Sequence, residues 1–240
     1  MYKEIIDAIA PTGILRAAVN LGNTLLISSQ KPDGTPVGVS PDLVHRIAQD
    51  LNIPYKFVCF ECPGDLADSV DKNVWDIGNI AYEQTRAQKI EFSIPYILID
   101  ANFLVRQTAI FQTNNDVDKL GVRIAVPERS AYELWLRDNF RKSNLILTPS
   151  IVDSHHLFAR GEVDALASLR PKLISEFSNV DLYRMIEPSF TSIRQSIGVK
   201  KGRSNVIMFL NNLIMKLIGN QFIADSLRKH GVSRDLTIPK

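Results

Sequence analysis

The sequence predicts an α/β fold, and three observations carry the prediction. Residues 76–81 are almost continuously apolar, as a parallel strand covered by helices on both faces must be. Strand and helix periodicities alternate along the chain. Two long extended stretches, 97–106 and 192–199, interrupt that alternation, and the first looks like the chain leaving one lobe to build another. Each lobe reads as a mostly parallel sheet flanked by helices.

The elements follow in order. A first strand is predicted over 14–19, then a polar loop over 20–23. Pro32, Asp33, Gly34 and Pro36 form a turn by composition. Ser40 and Pro41 mark a helix start: the hydroxyl caps, and the proline sits in the first turn, where its missing N–H costs nothing. Val44, Ile47, Ala48 and Leu51 then recur at helical spacing as one buried stripe. A strand over 55–60, a short helix over 65–70 and the strand over 76–81 complete this part. Beyond 97–106 the chain is polar over 107–120, and 121–126 restarts the strand pattern. A helix over 130–140, a strand over 145–147, a helix over 154–160 closed by Gly161, and a strand over 164–168 follow. After 192–199 come helices over 205–218 and 221–230, the second stopped by Gly231.

A chain of 240 residues suits one large domain or two small lobes. The net charge of +2 is too small to imply nucleic acid, and the basic run 200–203 lacks interleaved aromatics. No apolar run is long enough to span a bilayer. Residues 1–10 are amphipathic and carry acids, so they are not a secretory signal. Two readings of Met1 stand: the native start of a cytoplasmic protein, or a start placed after a removed signal. Cys59 and Cys62 have C-x-x-C spacing. Zinc would need two further ligands, and the adjacent His155 and His156 do not share a helix face. Structural cysteines are therefore expected, with a disulfide left open for an exported protein. No metal or other cofactor is called for.

The functional signal is densest over 75–96. An apolar strand ends in a polar turn, Arg86 follows, and the segment runs into Phe92-Ser93-Ile94-Pro95-Tyr96. A guanidinium at a strand end can hold a planar carboxylate by two parallel hydrogen bonds. A surface salt bridge is the plain alternative for an isolated arginine. Four further blocks stand in order: Gly38, Asp42, Leu43, Ile47, Ala48 and Leu51; the segment 122–133; Gly161-Glu162-Val163-Asp164-Ala165; and the segment 197–202. Together these five blocks resemble the family 3 extracellular solute-binding proteins, the polar amino-acid binders of ABC uptake systems.

The resemblance implies a two-lobed clamshell of the type 2 periplasmic binding protein kind. Residues 1–104 with 198–240 would form one lobe and 105–197 the other, with hinge crossings near Asn102 and Gln195. It implies a monomer in the periplasm with an ABC permease as partner, no membrane insertion, and Arg86 on the ligand's carboxylate. Ser130 opens a helix, so its hydroxyl and the N–H groups behind it suit the same carboxylate. The chain departs from the family elsewhere. The loop before Arg86 is short and lacks the usual threonine, leaving Asn79 or Tyr82 to supply a polar group. Arg129 stands where glycine is preferred. Leu169 takes the place of the aspartate that usually holds an α-ammonium, and Arg170 follows it. Asn20, Asn23 and Glu61 follow the first two strands, and Phe190 and Gln195 lie near the second crossing. The expected function is capture of a small carboxylate-bearing metabolite, amino-acid-like or an organic acid, by hinge closure. Two alternatives stand beside it. One is an enzyme similar to cyclohexadienyl dehydratases, using Glu61, Glu83, Glu128 or Glu133. The other is a sensory ligand-binding module.

Overall fold

The computed structural model describes residues 2–232 and 236–239. In chain order the elements are α1 (Tyr2–Ile9), β1 (Leu15–Asn20), β2 (Ser29–Gln30), β3 (Pro36–Val37), α2 (Val39–Leu51), β4 (Tyr55–Phe60), α3 (Pro63–Asp68), β5 (Ile77–Ala81), β6 (Ile90–Phe92) and β7 (Ile97–Arg106). There follow α4 (Asn114–Val117), β8 (Arg123–Pro127), α5 (Ala131–Asn139), β9 (Asn144–Thr148), α6 (Ile151–Ala159), β10 (Ala165–Leu169), α7 (Arg170–Glu176), β11 (Tyr183–Met185), β12 (Thr191–Lys200), α8 (Ser204–Gly219) and α9 (Phe222–Lys229). The chain divides into two compact units, one of residues 1–98 with 194–240 and the other of residues 99–193. β7 carries the chain from the first unit into the second, and β12 carries it back.

In the first unit β1 lies between β4 and β5, parallel to both, with Ala17 opposite Phe57 and Ile77. β12 pairs antiparallel with β5, Ile197 opposite Asn79, and with β6. β5 is buried at every position, as a central strand requires. Leu66, Val70, Trp75, Ile80 and Ile90 form a core on one side of it. β4 is half-exposed and includes the exposed Cys59, because it pairs only with β1 among the described strands. The C-terminal segment returns to this unit, where Leu98 and Thr237 exchange both backbone hydrogen bonds, at 2.7 and 3.0 Å.

In the second unit β8 runs parallel to β9 and β10, and β7 pairs antiparallel with β10 and β11. Its core gathers Leu104, Ala125, Phe158, Val163, Leu166 and Leu173.

Several predicted boundaries shift. α2 begins at Val39 with Gly38 at its cap, so Ser40 and Pro41 sit inside the first turn and Ser40 does not cap. The displacement has a steric cause: a Cβ on Gly38 would lie 2.2 Å from the Leu26 carbonyl oxygen. α6 begins at Ile151 because Ser150 caps it, accepting a hydrogen bond from the Asp153 N–H. The short elements β2, β3, β6, α4, α7 and β11 carry no long periodicity and were not foreseen in the sequence.

Candidate ligand-binding site

The end of β5 holds Arg86 in place through backbone geometry. Its carboxylate neighbour Glu83 accepts the N–H groups of Thr85 (2.8 Å) and Arg86 (3.1 Å), folding 82–86 back on itself. The guanidinium Nη1 donates to the Ala81 carbonyl at 3.0 Å, and Arg86 is only 6% exposed. Arg86 is therefore a buried residue and not a surface one. Tyr82 projects outward and meets Phe92 edge-to-face at 5.4 Å.

Asn79, two residues before the end of β5, is buried in a polar seam. The Tyr96 hydroxyl reaches its Oδ1 at 3.4 Å and the Ser40 hydroxyl at 3.1 Å. The Asn79 Nδ2 has no hydrogen-bond partner. Burial pushes the Tyr96 phenol far above its ordinary range, although Ser40 and Gln195 oppose that. Gln195 is thus part of this seam.

The loops after β1 and β4 behave differently. The Asn20 Oδ1 accepts the Gly22 N–H at 3.1 Å, which is local turn chemistry. Asn23 holds the next turn with its carbonyl, which accepts from Leu26 and Ile27, while its side-chain Oδ1 is buried without a partner. Glu61 is exposed, and its backbone presses so close to Gly22 that a Cβ there would lie 2.6 Å from the Glu61 carbonyl oxygen.

In the second unit Ser130 caps α5, its Oγ accepting the Glu133 N–H at 3.1 Å. Arg129 takes a left-handed conformation (φ 60°), and its N–H donates to Glu133 Oε2 at 2.9 Å. The sequence places arginine where glycine would be the easier choice. Leu169 ends β10 with its side chain buried. Arg170 turns instead to Glu187, at 2.5 Å with both side chains partly solvated. Phe190 is buried and stacks on Phe103, ring centroids 4.4 Å apart.

These features sit on a chain whose residues 22–232 match the model of the bacterial extracellular solute-binding proteins, family 3. The chain belongs to that family. It is 27% identical to cyclohexadienyl dehydratase from Pseudomonas aeruginosa over 165 residues, 67% of this chain and 61% of that enzyme. It is 20% identical to the L-cystine-binding protein TcyJ of Escherichia coli K12 over 229 residues, 88% of this chain and 84% of that protein. Among solved structures, an amino acid ABC transporter substrate-binding protein from Streptococcus pneumoniae bound to L-arginine superposes with a TM-score of 0.76. It covers 98% of this chain and all of its own, at 21% identity. An ancestral amino acid-binding protein described as a precursor of cyclohexadienyl dehydratase gives 0.75, covering 93% and 98% at 18% identity. These likenesses show the fold, an α/β one of two lobes.

The dehydratase relative makes the carboxylates of this family 3 chain worth inspecting. Glu133 is fully buried, but Arg137 takes its Oε1 at 3.0 and 2.6 Å and Arg129 its Oε2. Glu83 is committed to two backbone N–H groups. Glu61 and Glu128 are exposed. Glu133 is thus engaged through both oxygens, whereas both of these bonds to Glu83 fall on its Oε2.

The sequence reading missed a polar chain that runs from the surface into the second unit. His155 on α6 links Glu176 on α7 (Nδ1 to Oε2, 2.5 Å) to Ser168 on β10 (Nε2 to Oγ, 2.8 Å). The Tyr132 hydroxyl lies beside the hydroxyls of Ser130 and Ser168, yet makes no well-formed hydrogen bond to either. Burial pushes the Tyr132 phenol strongly upward and His155 downward, Glu176 opposing the latter. One signal was available: on a helix, His155 falls on the same inward face as Phe158.

No disulfide joins Cys59 and Cys62, and burial and the neighbouring Glu61 hold the Cys59 thiol above its ordinary value. Among the described residues no cluster of His, Cys, Asp or Glu could hold a metal ion. No single helix among them is long and apolar enough to cross a membrane.

Proposed function

We propose that this family 3 protein binds a small carboxylate-bearing metabolite, amino-acid-like or an organic acid, and serves ABC-type uptake with a permease as partner. The single observation that supports this most is Arg86. A buried guanidinium, fixed to a strand-end carbonyl by its Nη1, is pre-oriented for a planar anion and loses little freedom on binding one. Ser130 adds a hydroxyl at a helix start, where anions are favoured. Capture by hinge closure is part of the proposal. So are a monomeric state and a periplasmic location, which the family's extracellular character supports.

Leu169 narrows the ligand. A buried leucine cannot neutralise an ammonium, and Arg170 is engaged with Glu187. The reading therefore favours an acid without a free α-ammonium.

Titration calorimetry of purified protein against amino acids, keto acids and dicarboxylates tests it. Arg86→Ala should lose about a hundredfold in affinity, the scale of a buried charge-assisted contact. Ser130→Ala should lose about tenfold. Unchanged affinity in Arg86→Ala removes that residue from the site, and binding of ordinary amino acids alone refutes the reading of Leu169.

The 27% identity to a dehydratase supports a second reading, elimination of water from a cyclohexadienyl acid. Turnover of such an acid, abolished by Glu83→Gln, would establish it over simple binding.

A further inference from the structure

A hollow of about 400 Å³ lies within the first unit, away from the Asn79 seam. Tyr82, Phe92, Ile94 and Pro95 supply apolar walls, and Arg194 and Ser196 line it from β12. Strand alternation places it. Ser196 stands opposite Ile80, whereas Asn79 stands opposite Ile197, so Ser196 and Asn79 point to opposite faces of the sheet. Arg194 and Ser196, two residues apart, share a face.

Three features of the hollow belong together. Its size falls in the range of small-molecule pockets, which are mostly apolar with a few polar groups. Ser196 is 1% exposed and its Oγ has no hydrogen-bond partner, a costly condition that a bound acceptor relieves. Arg194 is exposed and forms no ion pair among the described residues, though its carbonyl accepts the Tyr82 N–H. The one carboxylate on the wall, Glu91, is committed to the Arg203 N–H and the Ser204 hydroxyl, at 2.9 and 3.0 Å. Likewise the Asn211 Oδ1 accepts the Ile94 N–H at 2.7 Å.

We propose that this hollow is a second ligand site, taking a compact monocarboxylate with an apolar tail. The carboxylate meets Arg194 and accepts from the Ser196 hydroxyl, while the tail lies against Phe92, Ile94 and Pro95. A neutral tail alone leaves Ser196 unsatisfied, and a dicarboxylate brings a second charge against apolar walls.

The test is a titration of hexanoate, phenylacetate and hexanamide followed by backbone amide shifts, in wild type and in Arg86→Ala. The first site is disabled in that variant, so the outcome is independent of the function proposed above. Both acids should shift Tyr82, Phe92 and Ser196 in both backgrounds, with hexanamide about tenfold weaker. Arg194→Gln should weaken hexanoate about tenfold, and Ser196→Ala severalfold. Arg194 is exposed, so its substitution leaves folding intact. Equal binding of acid and amide overturns the proposal, as does an Arg194→Gln titration matching wild type. Shifts that vanish in Arg86→Ala also overturn it.

Discussion

The two units contain the same device at the same place, in different solvent. In the first, Arg16 on β1 is clamped by Asp76, which immediately precedes β5: Nε to Oδ2 at 3.0 Å, Nη2 to Oδ1 at 2.7 Å, and the Arg16 N–H to Oδ2 at 2.9 Å. In the second, Arg123 on β8 is clamped by Asp164, which immediately precedes β10, at 3.1, 3.0 and 2.8 Å. In each unit the aspartate N–H returns a hydrogen bond to the arginine carbonyl. Two things differ: Arg16 also donates to the Asn73 carbonyl and side-chain oxygen, at 2.5 and 3.1 Å, and the first pair is the more buried. The Asp76 side chain is 0% exposed and that of Arg16 13%, against 34% for Asp164 and 46% for Arg123. The shared aspartate clamp should therefore carry unequal weight, because water already solvates the second pair more than the first.

Removing each aspartate would break the equivalence most clearly. Asp76→Ala should cost about 3 kcal/mol, the low end for a broken buried pair because Arg16 keeps some water. Asp164→Ala should shift the urea midpoint far less. Equal losses would mean that the backbone bridge, not burial, sets the contribution.

Acid should sharpen the contrast next, since the second unit keeps its buried titratable group elsewhere. Desolvation lowers His155; Glu176 opposes this, while Lys172 on α7 and His156 on the same helix add to it. The unfolded chain therefore takes up that proton near pH 6.5 and the folded chain only at lower pH. Stability from this site is complete above 6.5 and is lost as pH falls toward the folded value. Urea midpoints from pH 8 to pH 5 should decline below 6.5, and His155→Gln should flatten that decline. A decline unchanged in His155→Gln would place the titration on other groups.

The smallest effect is expected at Arg170. Its pair with Glu187 is partly solvated, so Arg170→Ala should move the thermal midpoint by about a degree or less. A larger shift would give the residue a role that its surroundings do not reveal.

Long, periodic signals were the legible ones. The β5 run, the α2 stripe and the extended β7 and β12 could be read directly, because burial on one or both faces writes itself into composition. Helix boundaries were less so: Ser40 has the chemistry of a cap, yet Gly38 caps instead because only a bare α-carbon passes Leu26. At the candidate site, the place of Ser130 at a helix start and of Arg86 just after a strand could be read from order along the chain. Arg170 and the Glu83 turn depended on which partner lay near, and sequence order does not reveal that. The Glu176–His155–Ser168 chain joins α6, α7 and β10, so no local window contained it.

The return of β12, α8 and α9 to the first unit has a consequence for synthesis. β12 supplies a neighbour to β5, and Thr237 reaches Leu98. On the ribosome, residues 99–193 emerge as one continuous piece and can finish folding while the earlier segment still lacks its last strand and two helices. The guest is complete before its host, and the slow, long-range closure belongs to the outer unit.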